Sequence, residues 1–309
     1  MTKTIPYRCV GLGLIVVDHL LLTQHYPEPN TKNIVDHYVM QGGGPVPTAL
    51  AVLGRLGIPG TFISTVGDDE MADFLQHELE QFHVDCSALE RHPDRMTAES
   101  FVIIDQRNGD RTIFLNRNGS SISDLNEACI NHIREAEILH IDGRDIDLCI
   151  ETAQIARRHN TRVSIDIGSN RPIPEELLQW VDIAIVSETF SEHQIEKSPL
   201  KSAKKLLDFG ITTAAVTCGA QGSYWASREE SFHQRAFPVP VVDTTGAGDV
   251  FHGASLYGIM NGYTLRKTAQ FASAVSAIVC SHIGGKPGIP DLGQIEHFIN
   301  TLTVSSEDL

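Results

Sequence analysis

No Cys-x-x-Cys pair occurs in this chain. Its six cysteines, Cys9, Cys86, Cys129, Cys149, Cys218 and Cys280, are scattered, with no spacing that suggests a zinc site. Six thiols in 309 residues make no disulfide scaffold, and they read as reduced cysteines of a cytosolic protein. The fourteen histidines include no His-Glu-x-x-His or comparable pair, so they read as ordinary surface or half-buried side chains rather than metal ligands. Positive charge is scarce. There are 24 Lys and Arg against 39 Asp and Glu, a net charge of −15, which argues against nucleic acid or an anionic membrane as partner. No stretch approaches about 20 uninterrupted apolar residues, so no transmembrane helix is expected. The apolar run Cys9 to Val17 is broken by Asp18-His19 and lacks a small-residue cleavage site, so it reads as a buried strand rather than a signal peptide. There is no Gly-x-x-x-x-Gly-Lys-Ser/Thr, so a nucleotide would not sit on a P-loop; Gly11-Leu12-Gly13 lacks the third glycine of a dinucleotide fingerprint, which makes NAD a poor ligand.

What is present is an alternation. Short β-branched runs (8–17, 61–66, 137–141, 161–165, 183–186 and 213–217) are separated by helical patterns at 46–56, 70–82, 124–134, 146–159 and 201–209. Such spacing predicts βαβ units and a doubly wound, mainly parallel sheet with helices on both faces, in a single domain spanning 1–309. After Pro240 the patterns at 247–260, 264–282 and 292–302 are helical. One region departs from the rhythm: Ser100–Ile104 and Arg111–Leu115 flank Gln106-Arg107-Asn108-Gly109-Asp110, and Asn-Gly between β-rich runs predicts a hairpin. With segment 18–40, segment 98–118 is expected to form a small β lid over the carboxyl end of the sheet.

Three glycine-rich stretches carry candidate chemistry. In Asp243-Thr244-Thr245-Gly246-Ala247-Gly248-Asp249-Val250-Phe251, small residues stand directly before a helical pattern. Exposed amides at a helix start, reinforced by the dipole, suit an anionic phosphoryl group, and the Asp249 carboxylate can accept the proton of an attacking alcohol, or the stretch is only a glycine-containing turn with an Asp near a helix start. Gln41-Gly42-Gly43-Gly44-Pro45 precedes another helix and would present amides to a polar substrate, or form only a tight turn into a packed helix. Thr217-Cys218-Gly219-Ala220-Gln221-Gly222 stands at the end of a strand, where nucleotides often lie, though read alone it is only a turn.

In this order, and with Asp-Thr-Thr-Gly-Ala-Gly-Asp as the most specific element, these stretches resemble the PfkB (ribokinase) family of carbohydrate kinases from Cys9 to about Phe298. The resemblance implies a ribokinase-like core, a β lid, and transfer of the γ-phosphoryl group of ATP, with Mg2+, to a sugar hydroxymethyl group. It implies Asp249 as base and the amides of Gly246, Ala247 and Gly248 as anion hole. Asp18, Gly42 and Gly43 would contact the sugar. Ser187, Thr217, Gly219 and Gly222 would meet the nucleotide, and the 272–274 helix with Gly285 would flank adenine. The ketohexokinase-like and sulfofructose-kinase-like branches are the nearest.

The chain also departs from the family pattern. Proline stands at 47, near the position where an Asn usually contacts the sugar. Asn-x-x-Glu is replaced by Ser187-Glu188-Thr189-Phe190, which leaves Glu188, through water, as a candidate for the metal. Gly288 replaces a common Ser near a monovalent-cation loop, so a K+ site would have to be built around Asp243 and Thr245. Lys32, Asn116 and Arg144 are placed by the resemblance around the outer end of the sugar pocket, where the two cations would hold a phosphate or sulfonate on a ketose. A nucleoside kinase of the same fold and a catalytically silent, regulatory member remain as alternatives. A lid with open edges predicts a homodimer through it.

Overall fold

The computed structural model describes residues 8–35, 37–107, 109–119, 122, 125–302 and 306–308. Asp36 of the lid segment, Asn108 of the hairpin turn and Asp124 at an expected helix start lie outside the described residues. The main sheet runs in the order Ser306–Asp308, Ser231–Gln234, Ser223–Ala226, Thr213–Thr217, Ile183–Ser187, Arg162–Ile167, Ile138–Ile141, Cys9–Leu12, Gly60–Gly67 and Val84–Asp85, with Leu89–His92 also pairing Gly60–Gly67. From Thr213–Thr217 to the Val84 edge every pairing is parallel, and the last strands at the other edge are antiparallel. Its central strands are buried on both faces because helices cover both. One core joins helices Pro45–Arg55, Ala247–Met260 and Leu265–Cys280 to one face; the other joins Glu127–Glu135, Ile146–Arg158 and Pro199–Leu206 to the opposite face.

The helices expected from the sequence are present, with ends displaced by a few residues; Ala247–Met260 coincides with its expected bounds. The expected first strand, Arg8–Val17, is two strands instead. Cys9–Leu12 belongs to the main sheet and Val16–Thr23 to the lid. Between them the backbone amide of Leu14 donates to Asp142 Oδ2 at 2.9 Å, and a side chain on Gly13 would strike the same carboxylate at 2.8 Å. The chain is thus diverted off the sheet at its carboxyl end, and continuous apolarity hides the break. The strands of the Ser223–Ala226 and Ser231–Gln234 hairpin are not among those expected from the sequence.

The lid is a four-stranded sheet of His37–Gly43, Val16–Thr23, Glu99–Asp105 and Arg111–Asn116, with antiparallel outer pairings and a parallel central one. Strand parity sorts its side chains. Leu20, Leu22, Val102 and Ile104 form a small buried core on one face. His19, Phe101 and Phe114 fall in one register row on the other.

Candidate active site

Each central parallel strand ends in a residue that borders one cavity of ≈ 1020 Å³: Leu14 beyond Cys9–Leu12, Asp142 beyond Ile138–Ile141, Gly168 beyond Arg162–Ile167, then Ser187 and Thr217. This is the carboxyl-end crevice of an open α/β sheet. The lid closes one side with Val16, Asp18, Ser100, Val102, Ile113 and Leu115, all of one strand parity.

The base of the cavity is the start of helix Ala247–Met260. Gly246 turns the chain at φ 74°, and a methyl there would meet Gly285 Cα at 2.9 Å, so only glycine fits. No side chain caps this helix. Ala247 N donates to Thr244 O at 3.2 Å, whereas the amides of Gly246, Gly248 and Asp249 have no acceptor among the described residues. Of the amides expected to form an anion hole, those of Gly246 and Gly248 are free among the described residues, and the Ala247 amide is taken by the turn. Asp243 braces the loop: its two carboxylate oxygens accept from Thr245 N and Gly284 N, each at 2.8 Å. The carboxylate expected at a K+ site thus tethers two backbone segments, beside a buried Thr245 hydroxyl without a partner.

Asp249 is half-buried in the cavity wall. Burial raises its pKa, opposed by the positive charges of Arg111, Arg144 and Lys286. Arg111 reaches this region from the lid and donates to Thr244 Oγ1 at 2.7 Å; Thr244 in turn donates to Gly109 O at 3.1 Å, so lid and anion loop are joined. Asp18, on the lid strand rather than on the first strand of the main sheet, is pushed up to about 6 by burial, against a hydrogen bond from the Ser100 hydroxyl and the charge of Lys286.

The structure brings Asp18, Arg144, Ser187, Glu188, Thr217, Gly219, Gly222, Thr245, Gly246, Ala247, Gly248 and Asp249 to this cavity. Others expected there are elsewhere. The Gly42 amide is taken by the Glu78 carboxylate at 3.0 Å, and Gly43 packs against the Asp18 carboxylate with no room for a side chain. Gly285 faces Gly246. Lys32 lies exposed in the loop after Thr23, and Asn116 is exposed, with strand parity opposite to Ile113 and Leu115. Neither borders the cavity. On helix Leu265–Cys280 the residues that border it are Ser273, Ser276, Ala277 and Cys280, while Ala272 and Ala274 are in the core.

Sequence reasoning did not single out Arg111, Asp142, Asp166, Arg171 and His252, which also border the cavity. Asp142 is buried and binds Leu14 N, Arg144 N at 3.0 Å and the Arg144 guanidinium at 3.4 Å. Arg171 donates to Asp142 O at 2.7 Å. A polar residue interrupting an apolar run at a strand's carboxyl end was the available signal for Asp142 and Asp166.

Phosphoryl transfer to an alcohol asks a protein mainly for positioning and charge placement, and this crevice is organised for both. The chain belongs to the pfkB family of carbohydrate kinases, which it matches over residues 8–292. It is 27% identical over 302 residues to the ribokinase of Staphylococcus aureus (strain COL), covering 93% of this chain and 98% of that one. It is 26% identical over 289 residues to the ketohexokinase of Mus musculus, covering 87% and 94%. The structure of Arabidopsis thaliana ribokinase complexed with ribose and ATP is similar with a TM-score of 0.83 at 22% identity, covering 95% of this chain and 98% of that one. An E. coli protein given the name ribokinase II, solved with ATP and Mg2+, gives 0.81 at 25% identity, covering 96% and 99%. The protein is a carbohydrate kinase, a phosphotransferase with an alcohol acceptor.

Proposed function

We propose that this kinase transfers the γ-phosphoryl group of ATP to a hydroxymethyl group of a ketose, and that the ketose carries an anionic group. The observation that carries the reading is the uncapped helix start, with unpaired amides at Gly246, Gly248 and Asp249, beside the Asp249 carboxylate in a lidded cavity. The attacking oxygen forms its bond to the γ-phosphorus as the bond to the β-phosphate oxygen breaks. Asp249 takes the hydroxyl proton and passes it to solvent, and the free amides stabilise the charge on the phosphoryl oxygens. Asp18 and Ser100 hold sugar hydroxyls. Ser187, Thr217, Gly219 and Gly222 surround the nucleotide, with the Ser273 to Cys280 face of the neighbouring helix as a further wall. Glu188 offers a hard oxygen donor in this part of the cavity, which fits Mg2+ directly or through water; Mg2+ bound with ATP supplies neutralisation of phosphate charge.

The anionic substrate rests on Arg144 and Arg171. Both border the cavity; the Arg144 Nε faces Asp142 Oδ2 at 3.4 Å, and the buried Arg171 Nε has no hydrogen-bond partner among the described residues. Lys32 and Asn116 give no support. A homodimer through the lid is part of the same reading: Tyr38, Phe101 and Phe114 are 56%, 46% and 54% exposed on strands that share one small sheet, and His19 stacks on Tyr38 and Phe101.

ADP release with Mg·ATP tests the assignment against ketoses, aldoses, sugar phosphates, sugar sulfonates and nucleosides. Turnover confined to anionic ketoses, falling about 10²- to 10⁴-fold in Asp249→Asn and losing its preference for the anion in Arg144→Ala, is the expected result. Equal kcat/KM for neutral and anionic sugars overturns the anionic part. Turnover that survives Asp249→Asn overturns the base.

A further inference from the structure

We propose that His140, Asp166 and His252 form a buried binding site for a divalent transition-metal cation of the Zn2+ class, distinct from the Mg2+ that accompanies ATP. The three residues come from three elements. His140 lies on strand Ile138–Ile141 and Asp166 on strand Arg162–Ile167, where His140 pairs in register with Ser164. Alternation along the second strand puts Ser164 and Asp166 on one face, the face that His140 shares. His252 comes from helix Ala247–Met260, three residues after Asp249 and therefore on the same side of that helix.

One ligating atom from each residue lies within 4.8 Å of the others. His252 Nε2 stands 3.2 Å from Asp166 Oδ2. All three are buried, with exposures of 0%, 3% and 4% for His140, Asp166 and His252. Despite this burial, His140 Nε2 and His252 Nδ1 lack hydrogen-bond partners among the described residues, and Asp166 Oδ2 has only the His252 Nε2 contact. Buried polar atoms without partners are costly, and a cation held between His140, the Asp166 carboxylate and a ring nitrogen of His252 would satisfy them. Ser164 Oγ holds His140 Nδ1 at 3.2 Å, which leaves Nε2 as the ring nitrogen free to coordinate.

The donor set selects the ion. Two imidazoles and one carboxylate suit Zn2+, Co2+ or Ni2+, whereas Mg2+ prefers oxygen ligands. Asp166 and His252 both border the cavity, so a fourth position is open to water from that side.

Metal-free full-length protein titrated with Co2+ in the absence of nucleotide tests the site without reference to kinase activity. The expected result is one equivalent bound, with the visible d–d absorption of a four- or five-coordinate ion and no thiolate charge-transfer band. Zn2+ should displace it. His252→Asn and His140→Gln should abolish the absorption, and Ser164→Ala, which leaves the ligands in place, should weaken binding about 10- to 100-fold. No absorption, a thiolate band, or a spectrum unchanged in His252→Asn overturns the site. Should the histidine variants fold poorly, anomalous diffraction from wild-type crystals soaked in Zn2+ decides: a peak between the three residues supports the site, and no peak there overturns it.

Discussion

In the roles proposed for them Asp18 and Asp249 must both be ionised, and both are raised by burial. For Asp18, at about 6, the sign follows directly: the group gains its proton as pH falls below about 6 and stops accepting from sugar hydroxyls. KM for the sugar is therefore expected to rise on the acid side of pH 6 and to be flat above it, with the dependence lost in Asp18→Asn; pH profiles of kcat/KM check this. Arg111 lowers the Asp249 pKa. Arg111→Gln removes that charge, so the acid limb assigned to Asp249 is expected to move to higher pH. An unmoved limb would mean that Arg111 acts only as a tether to Thr244. At this scale the sequence was informative where a residue sits in a contiguous motif, as Asp249 does. It was silent for Arg171 and His252, whose relevance depends on chain segments far away.

Among the elements, the buried Lys286–Glu78 pair ties three together. Lys286 Nζ reaches Glu78 Oε2 at 2.8 Å, and the same carboxylate accepts from Gly42 N. It joins the turn after helix Leu265–Cys280 to helix Glu70–Gln81 and to lid strand His37–Gly43. Lys286→Met leaves Glu78 without its counter-ion and is expected to cost about 3–5 kcal/mol in urea denaturation. Adding Glu78→Gln should recover part of that loss. Element types and order were legible because βαβ alternation and helix periodicity are local. Cys9–Leu12 and Val16–Thr23 read as one strand because apolar periodicity does not register a change of sheet; the tertiary contact of Leu14 with Asp142 makes it. Gly42 and Gly43 look like substrate glycines in sequence, yet their freedom serves close packing beneath the lid.

For the whole molecule, the lid's exposed Tyr38, Phe101 and Phe114, packed around the half-buried His19, predict self-association. Phe101→Asp, measured by sedimentation, is expected to shift a dimer to monomer; wild-type protein that is monomeric at assay concentrations would end that proposal. Lys32 and Asn116 show the limit of reading a site along the chain. In a strand, a one-residue difference in parity moves a side chain to the other face, and Asn116 stands on the parity opposite to Ile113 and Leu115. The sequence by itself determined the class of fold, the family and the Asp249 motif, because each is written in contiguous residues whose backbone preferences and periodicity are local. Only the tertiary structure decided which carboxylates and arginines share the crevice, and which loop amides remain free. It alone brought His140, Asp166 and His252 to one buried point. These depend on strand register, sheet order and helix packing, which bring together residues more than a hundred positions apart.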